Sequence, residues 1–132
     1  MKNLNQLHNQ SLVSVIDAFP GYVLILDRNG TIVATNKRAN DELQDAEVER
    51  YGDIIKCKYS VEGHGCGNAT YCEFCEIKQM VDAGEKQVLT REIVREVMVF
   101  DELVIKKYTV VVDHNLAEDD LSVVIIMEKS GL

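Results

Sequence analysis

No stretch of the 132 residues approaches the run of roughly 20 apolar side chains that a helix needs to cross a bilayer. The opening Met1-Lys2-Asn3-Leu4-Asn5-Gln6 also lacks the apolar centre of a secretion signal. No membrane role is expected, and the expected compartment is the cytoplasm. Basic clusters are scarce: the longest are the pairs Lys37-Arg38 and Lys106-Lys107, in a chain of net charge −8. A phosphate backbone would be repelled, so nucleic acid is not an expected partner. There is one proline, and no internal repeat, low-complexity tract or linker that would argue for a second domain. No Ser/His/Asp arrangement, phosphate-cradling glycine loop or pair of carboxylates stands out, so no catalytic residues are expected and the chain is not read as an enzyme. Cysteine is missing from the whole chain except one segment.

What remains is an ordinary globular composition, with 46% hydrophobic and 27% charged residues. A chain of this size buries about two thirds of the surface its unfolded form exposes, enough for a single core without metal or disulfides.

The exceptional segment runs from Cys57 to Cys75 and holds all four cysteines, Cys57, Cys66, Cys72 and Cys75, at spacing C-x8-C-x5-C-x2-C. In a reducing compartment such clustering favours metal or redox chemistry over a disulfide framework. Four thiolates are what a tetrahedral zinc ion or a cubane iron–sulfur cluster needs, and the CxxC end lets two neighbouring sulfurs meet one metal. Gly63, Gly65 and Gly67 surround Cys66, so the backbone there can turn tightly and aim amides at negatively charged sulfur. This reads as a closed four-cysteine site that leaves the metal open.

Leu4, Leu7, Val15, Ala18 and Phe19 recur near helical spacing and predict an amphipathic helix over residues 3–19, ended by Pro20-Gly21. Such a stripe either packs on its own domain or serves dimerisation and signal transmission. Tyr22–Leu26 and Thr31–Thr35 are β-favouring runs on either side of Asp27-Arg28-Asn29-Gly30, a hairpin signal. Asn36 can cap a short helix through about Leu43, and Phe74, Ile77, Met80 and Val81 predict a helix over 72–83. Three long β-branched segments follow, 87–100, 102–112 and 121–127, the natural material of an antiparallel meander. The expectation is an α+β fold with a five-stranded antiparallel sheet and the short helices and cysteine loop inserted between strands two and three.

The run Phe19-Pro20-Gly21-Tyr22-Val23-Leu24-Ile25-Leu26-Asp27-Arg28-Asn29-Gly30-Thr31-Ile32 resembles the opening of PAS domains, and Asn36 with Ala39 resembles the start of their third element. Gly52-Asp53-Ile54-Ile55-Lys56-Cys57, then Gly65-Cys66-Gly67, Cys72 and Cys75, resembles a cysteine-bearing PAS subgroup of bacterial redox and signalling proteins. The resemblance covers about Ser11 to Lys129. It implies an N-terminal helix over 1–19 and a PAS sensory domain over 20–129, dimeric through that helix and passing a signal to a downstream signalling protein. Oxygen-sensing PAS kinases that carry a cubane cluster use two CxxC pairs, whereas this chain has one. No kinase, ATP-binding or phosphoacceptor segment is present, which implies a detached sensor or a piece of something longer.

On this basis Cys57, Cys66, Cys72 and Cys75 are expected to bind an iron–sulfur cluster, of the 4Fe-4S type, that responds to redox state or oxygen. Three alternatives stand beside it: a structural zinc ion tying loop to helix in an interaction module, unligated cysteines packed as small hydrophobes, and a dithiol switch. In the last, Cys72 is activated at a helix N-terminus and Cys75 is the resolving partner. His64 could replace one sulfur but is expected to be a solvated neighbour. Glu73 and Glu76 are expected on an exposed helix face, and His8 and His114 have no readable partner. The space between helices and sheet could also hold a small molecule, with Phe19, Tyr22, Phe100 and Tyr108 as candidate lining.

Overall fold

The structure is a computed structural model and describes residues 14–42, 50–63, 65–67, 72–73, 75–83, 88–114 and 121–129. His8, His64, Phe74 and most of the predicted N-terminal helix lie outside the described residues; of that helix the turn at 14–17, here α1, is described.

Strands β1 (Tyr22–Leu26), β2 (Ile32–Thr35), β3 (Val88–Val99), β4 (Glu102–Asp113) and β5 (Ser122–Glu128) form one antiparallel sheet in the order β2-β1-β5-β4-β3. Helices α2 (Lys37–Glu42), α3 (Tyr51–Ile54), α4 (Lys58–Glu62) and α5 (Glu76–Asp82) lie between β2 and β3 in the chain. The first and last strands are neighbours at the centre, with Leu24 opposite Val124 and Tyr22 opposite Ile126. Period-two burial puts one face of each strand in the core: Leu24 and Leu26 of β1, Val110 and Val112 of β4, and Val124 and Ile126 of β5 are at most 1% exposed. Tyr51 and Ile54 of α3 and Ile77 and Met80 of α5 complete this core.

Local chemistry accounts for the turns. Asp27 Oδ1 accepts from the amides of Asn29 (2.9 Å) and Thr31 (3.0 Å), and the Gly30 amide donates to Asp27 O at 3.0 Å. Gly30, at φ +79°, takes the left-handed place, so the hairpin turns over four residues rather than on Asn29-Gly30 alone. The β3–β4 hairpin turns on Phe100-Asp101, both at positive φ (48° and 67°), a conformation that usually selects Asn-Gly.

Asn36, 2% exposed, ties the N-terminal part together. Its Oδ1 accepts from the Ala39 amide, capping α2, and from the Val23 amide of β1, while Nδ2 donates to Gly21 O and Ile16 O. The predicted cap is therefore also a clamp between α1, β1 and α2.

Two helical details differ from the sequence reading. The cysteine segment contains a helix of its own, α4, which follows Cys57 directly and closes with the Gly63 amide donating to Tyr59 O at 3.0 Å. The next helix starts at Glu76, not Cys72: Cys75 is its N-cap residue, its amide bonded to Cys72 O and its carbonyl to the Gln79 amide. The helix N-terminus therefore faces Cys75 rather than Cys72.

Candidate cysteine site

Three chain segments deliver the four cysteines. Cys57 sits between α3 and α4, bridged to Val97 of β3, and the Met98 amide donates to Lys56 O at 2.9 Å. Cys75 heads α5, whose apolar face is in the core. Cys66 and Cys72 come from the connection between α4 and α5. Cys57 (5% exposed) and Cys75 (7%) are buried, and Cys66 and Cys72 are half-buried. All four are free thiols, and all four line one cavity of about 20 Å³ together with Tyr51, Gly52 and Arg95.

Room in this cavity depends on Gly52. A Cβ there would lie 2.7 Å from Cys66 Sγ and 3.7 Å from Cys57 Cβ, so a larger residue would occupy the space of a sulfur.

Arg95 of β3 was not singled out from the sequence. Its register puts it on the same face as Ile93 and Val97, and it is 5% exposed. Nη1 lies 3.5 Å from Cys57 Sγ and 3.7 Å from Cys75 Sγ, and Nη2 lies 3.7 Å from Cys75 Sγ and 3.1 Å from Glu76 Oε1. Burial opposes the charge on this guanidinium, but the sulfurs of Cys57 and Cys75 outweigh it and hold the arginine still more firmly protonated. Glu76 is thus drawn into the site and is not the freely exposed residue expected; Glu73 is exposed. The Tyr51 phenol is pushed well above its ordinary range by burial and by the neighbouring Cys66.

The donor set fits a thiolate-bound metal: four soft ligands on one cavity, beside a buried cation that compensates negative sulfur. The spacing is less closed than the donor set. Among the described residues no three His, Cys, Asp or Glu side chains stand close enough together to hold one ion. The volume suits an occupant the size of one ion or water, and a cubane would need the sulfurs to separate.

His114 is not isolated. Its Nε2 is 2.8 Å from Met80 O at the end of α5 and its Nδ1 is 3.0 Å from Ser122 Oγ, so it pins α5 to β5. A second and larger cavity, about 350 Å³, is lined by Tyr22, Phe100 and Tyr108 among others; Phe19 is not part of it and packs near Gly21 instead. No helix of the described residues is long and apolar enough to cross a membrane.

No protein-family model matches this chain, and no curated protein matches it significantly. Among solved structures, it is similar to the PAS domain of an HTR-like protein from Haloarcula marismortui, with a TM-score of 0.51 and 17% identity over 91% of this chain and 96% of that one. At that identity the likeness concerns the fold: the five-stranded sheet with its intervening helices is a PAS fold.

Proposed function

We propose that this chain is a sensory module of the PAS type whose four cysteines hold an iron–sulfur cluster of the 4Fe-4S type, and that redox state or oxygen is its signal. The observation that carries this reading is the meeting of Cys57, Cys66, Cys72 and Cys75 on one cavity against the buried Arg95. A cluster bound there would supply a reversible one-electron change and a target for oxygen.

The protein's own part is to hold the sulfurs and to feel a change in them. Cys57 is stitched to the edge strand β3 through the Val97 bridge and the Met98–Lys56 hydrogen bond. Cys75 heads α5, and Arg95 touches both sulfurs. A change in charge or position at these sulfurs is therefore felt by β3 and α5 together, the kind of local event that biases a packed element. We further propose that the signal leaves through contacts between two copies, using the N-terminal helix, to a downstream signalling protein, with the protein in the cytoplasm and without catalytic activity of its own.

The cavity volume of about 20 Å³ favours a second reading, in which a single zinc ion ties the cysteine segment to α5 and the module serves interaction rather than sensing. Anaerobic purification of Cys57→Ser and Cys75→Ser variants separates these readings from a dithiol switch. Loss of bound iron and sulfide in both supports the cluster and loss of bound zinc supports the scaffold. Full metal content in either variant removes that cysteine from the ligand set.

A further inference from the structure

We propose that Glu76 restrains metal binding at the four cysteines by competing with their sulfurs for the guanidinium of Arg95; the inference rests on the reading that those cysteines hold a metal. Two kinds of acceptor meet on one cation. Arg95 Nη2 donates to Glu76 Oε1 at 3.1 Å and lies 3.7 Å from Cys75 Sγ, while Nη1 lies 3.5 Å from Cys57 Sγ and 3.7 Å from Cys75 Sγ.

Burial makes the competition matter. The Arg95 side chain is 5% exposed and that of Glu76 25%, so the charge of the guanidinium is balanced by its neighbours rather than by water. Lys78 also lines the cavity, but it is half-exposed and bound to Asp82 at 2.8 Å across one helical turn. Arg95 is therefore the cation that the sulfurs share inside the protein.

What the sulfurs offer Arg95 depends on the metal. A thiol sulfur accepts hydrogen bonds weakly, so without metal the carboxylate of Glu76 is the strong partner. Four thiolates around one divalent ion leave a doubly negative centre, and around a cubane core they likewise leave net negative charge. Such a centre draws the guanidinium toward Cys57 and Cys75 and is repelled by a carboxylate beside them. Glu76 cannot move far from that position, because it opens α5 directly after Cys75. Whatever strengthens the Arg95–Glu76 pair therefore weakens metal binding, and the reverse holds by linkage.

Titration of the reduced, metal-free full chain with cobalt(II), read by thiolate-to-cobalt absorption and calibrated against a competing chelator, tests the proposal. Arg95→Gln should bind cobalt about 10–100-fold more weakly than the native chain, the usual cost of losing a group that supports the ligands, and Arg95→Lys should fall between the two. Glu76→Gln should bind it about two- to fivefold more tightly, although this variant has lost an ion pair. The opposite signs separate charge from structure, since a variant that merely loosened the fold would bind more weakly. Unchanged or weaker binding by Glu76→Gln, or unchanged binding by Arg95→Gln, overturns the inference, while saturable uptake of cobalt by the native chain leaves the four-cysteine site standing. A native chain that takes up no cobalt overturns both.

Discussion

The guanidinium of Arg95 and the sulfur of Cys75 are in contact inside the protein, with both Nη atoms 3.7 Å from Sγ, although the two residues lie on an edge strand and at a helix start twenty positions apart. Cys57 Sγ shares the same guanidinium at 3.5 Å. An arginine buried to this degree is stabilised only by the acceptors around it.

Replacing Arg95 with Gln should therefore cost about 1–3 kcal/mol of stability, because the sulfurs and Glu76 lose their cation. Urea unfolding measures that cost. Metal content should fall in the same variant, whereas Arg91→Gln, at an exposed position of the same strand, should change neither.

Gly52→Ala should be costly for a residue that adds one methyl. The new carbon would stand 2.7 Å from Cys66 Sγ, and overpacking of this kind costs about 1–3 kcal/mol. Bound metal per chain should drop together with the unfolding midpoint.

Asn36→Ala removes both the α2 cap and the Val23 bond, with an expected loss of about 2–4 kcal/mol by denaturant unfolding. Asn36→Asp keeps the accepting oxygen but loses the donors to Gly21 and Ile16, and should fall between the alanine variant and the native chain.

Phe100→Asn should stabilise. Phe100 is 97% exposed, so little packing is lost, and asparagine tolerates φ 48° far better. A gain of about 0.5–1 kcal/mol is expected from thermal unfolding.

The tyrosines set the alkaline limit. Burial raises the pKa of Tyr51 and Tyr108 in the fold, so the folded protein keeps these protons longer than the unfolded chain does. Their stabilisation is fully present below the ordinary phenol pKa of about 10 and is lost as pH rises past it toward the folded values. In a phenolate absorbance titration, Tyr51 and Tyr108 should ionise late, together with unfolding.

The sheet was legible because its last three strands are long β-branched runs set off by polar turns, and Asp27 and Asn36 announce the turn and the cap beside the first hairpin. The cysteine cavity was legible as a cluster of ligand types, though not as a shape. Arg95 escaped notice because β3 reads as Arg91, Glu92, Arg95, Glu96, a polar edge strand. The available signal was its place between Ile93 and Val97, two positions away on either side. What makes its burial favourable comes from two sulfurs on other segments, and a single-strand pattern does not contain them. His114 is similar, since its partner Met80 O is thirty-four residues away. α5 begins four residues beyond Cys72 because its N-cap residue Cys75 has an extended backbone (ψ 125°), which the spacing of apolar side chains does not record.

The most direct measurement is the visible absorption spectrum of protein purified without oxygen, taken with iron, zinc and acid-labile sulfide analysis of the same sample. A broad band at the blue edge of the visible, with iron and sulfide in equal amounts and bleaching on exposure to air, is the result expected of a cluster held by Cys57, Cys66, Cys72 and Cys75. A colourless protein, whether it carries one zinc per chain or no metal, would contradict it.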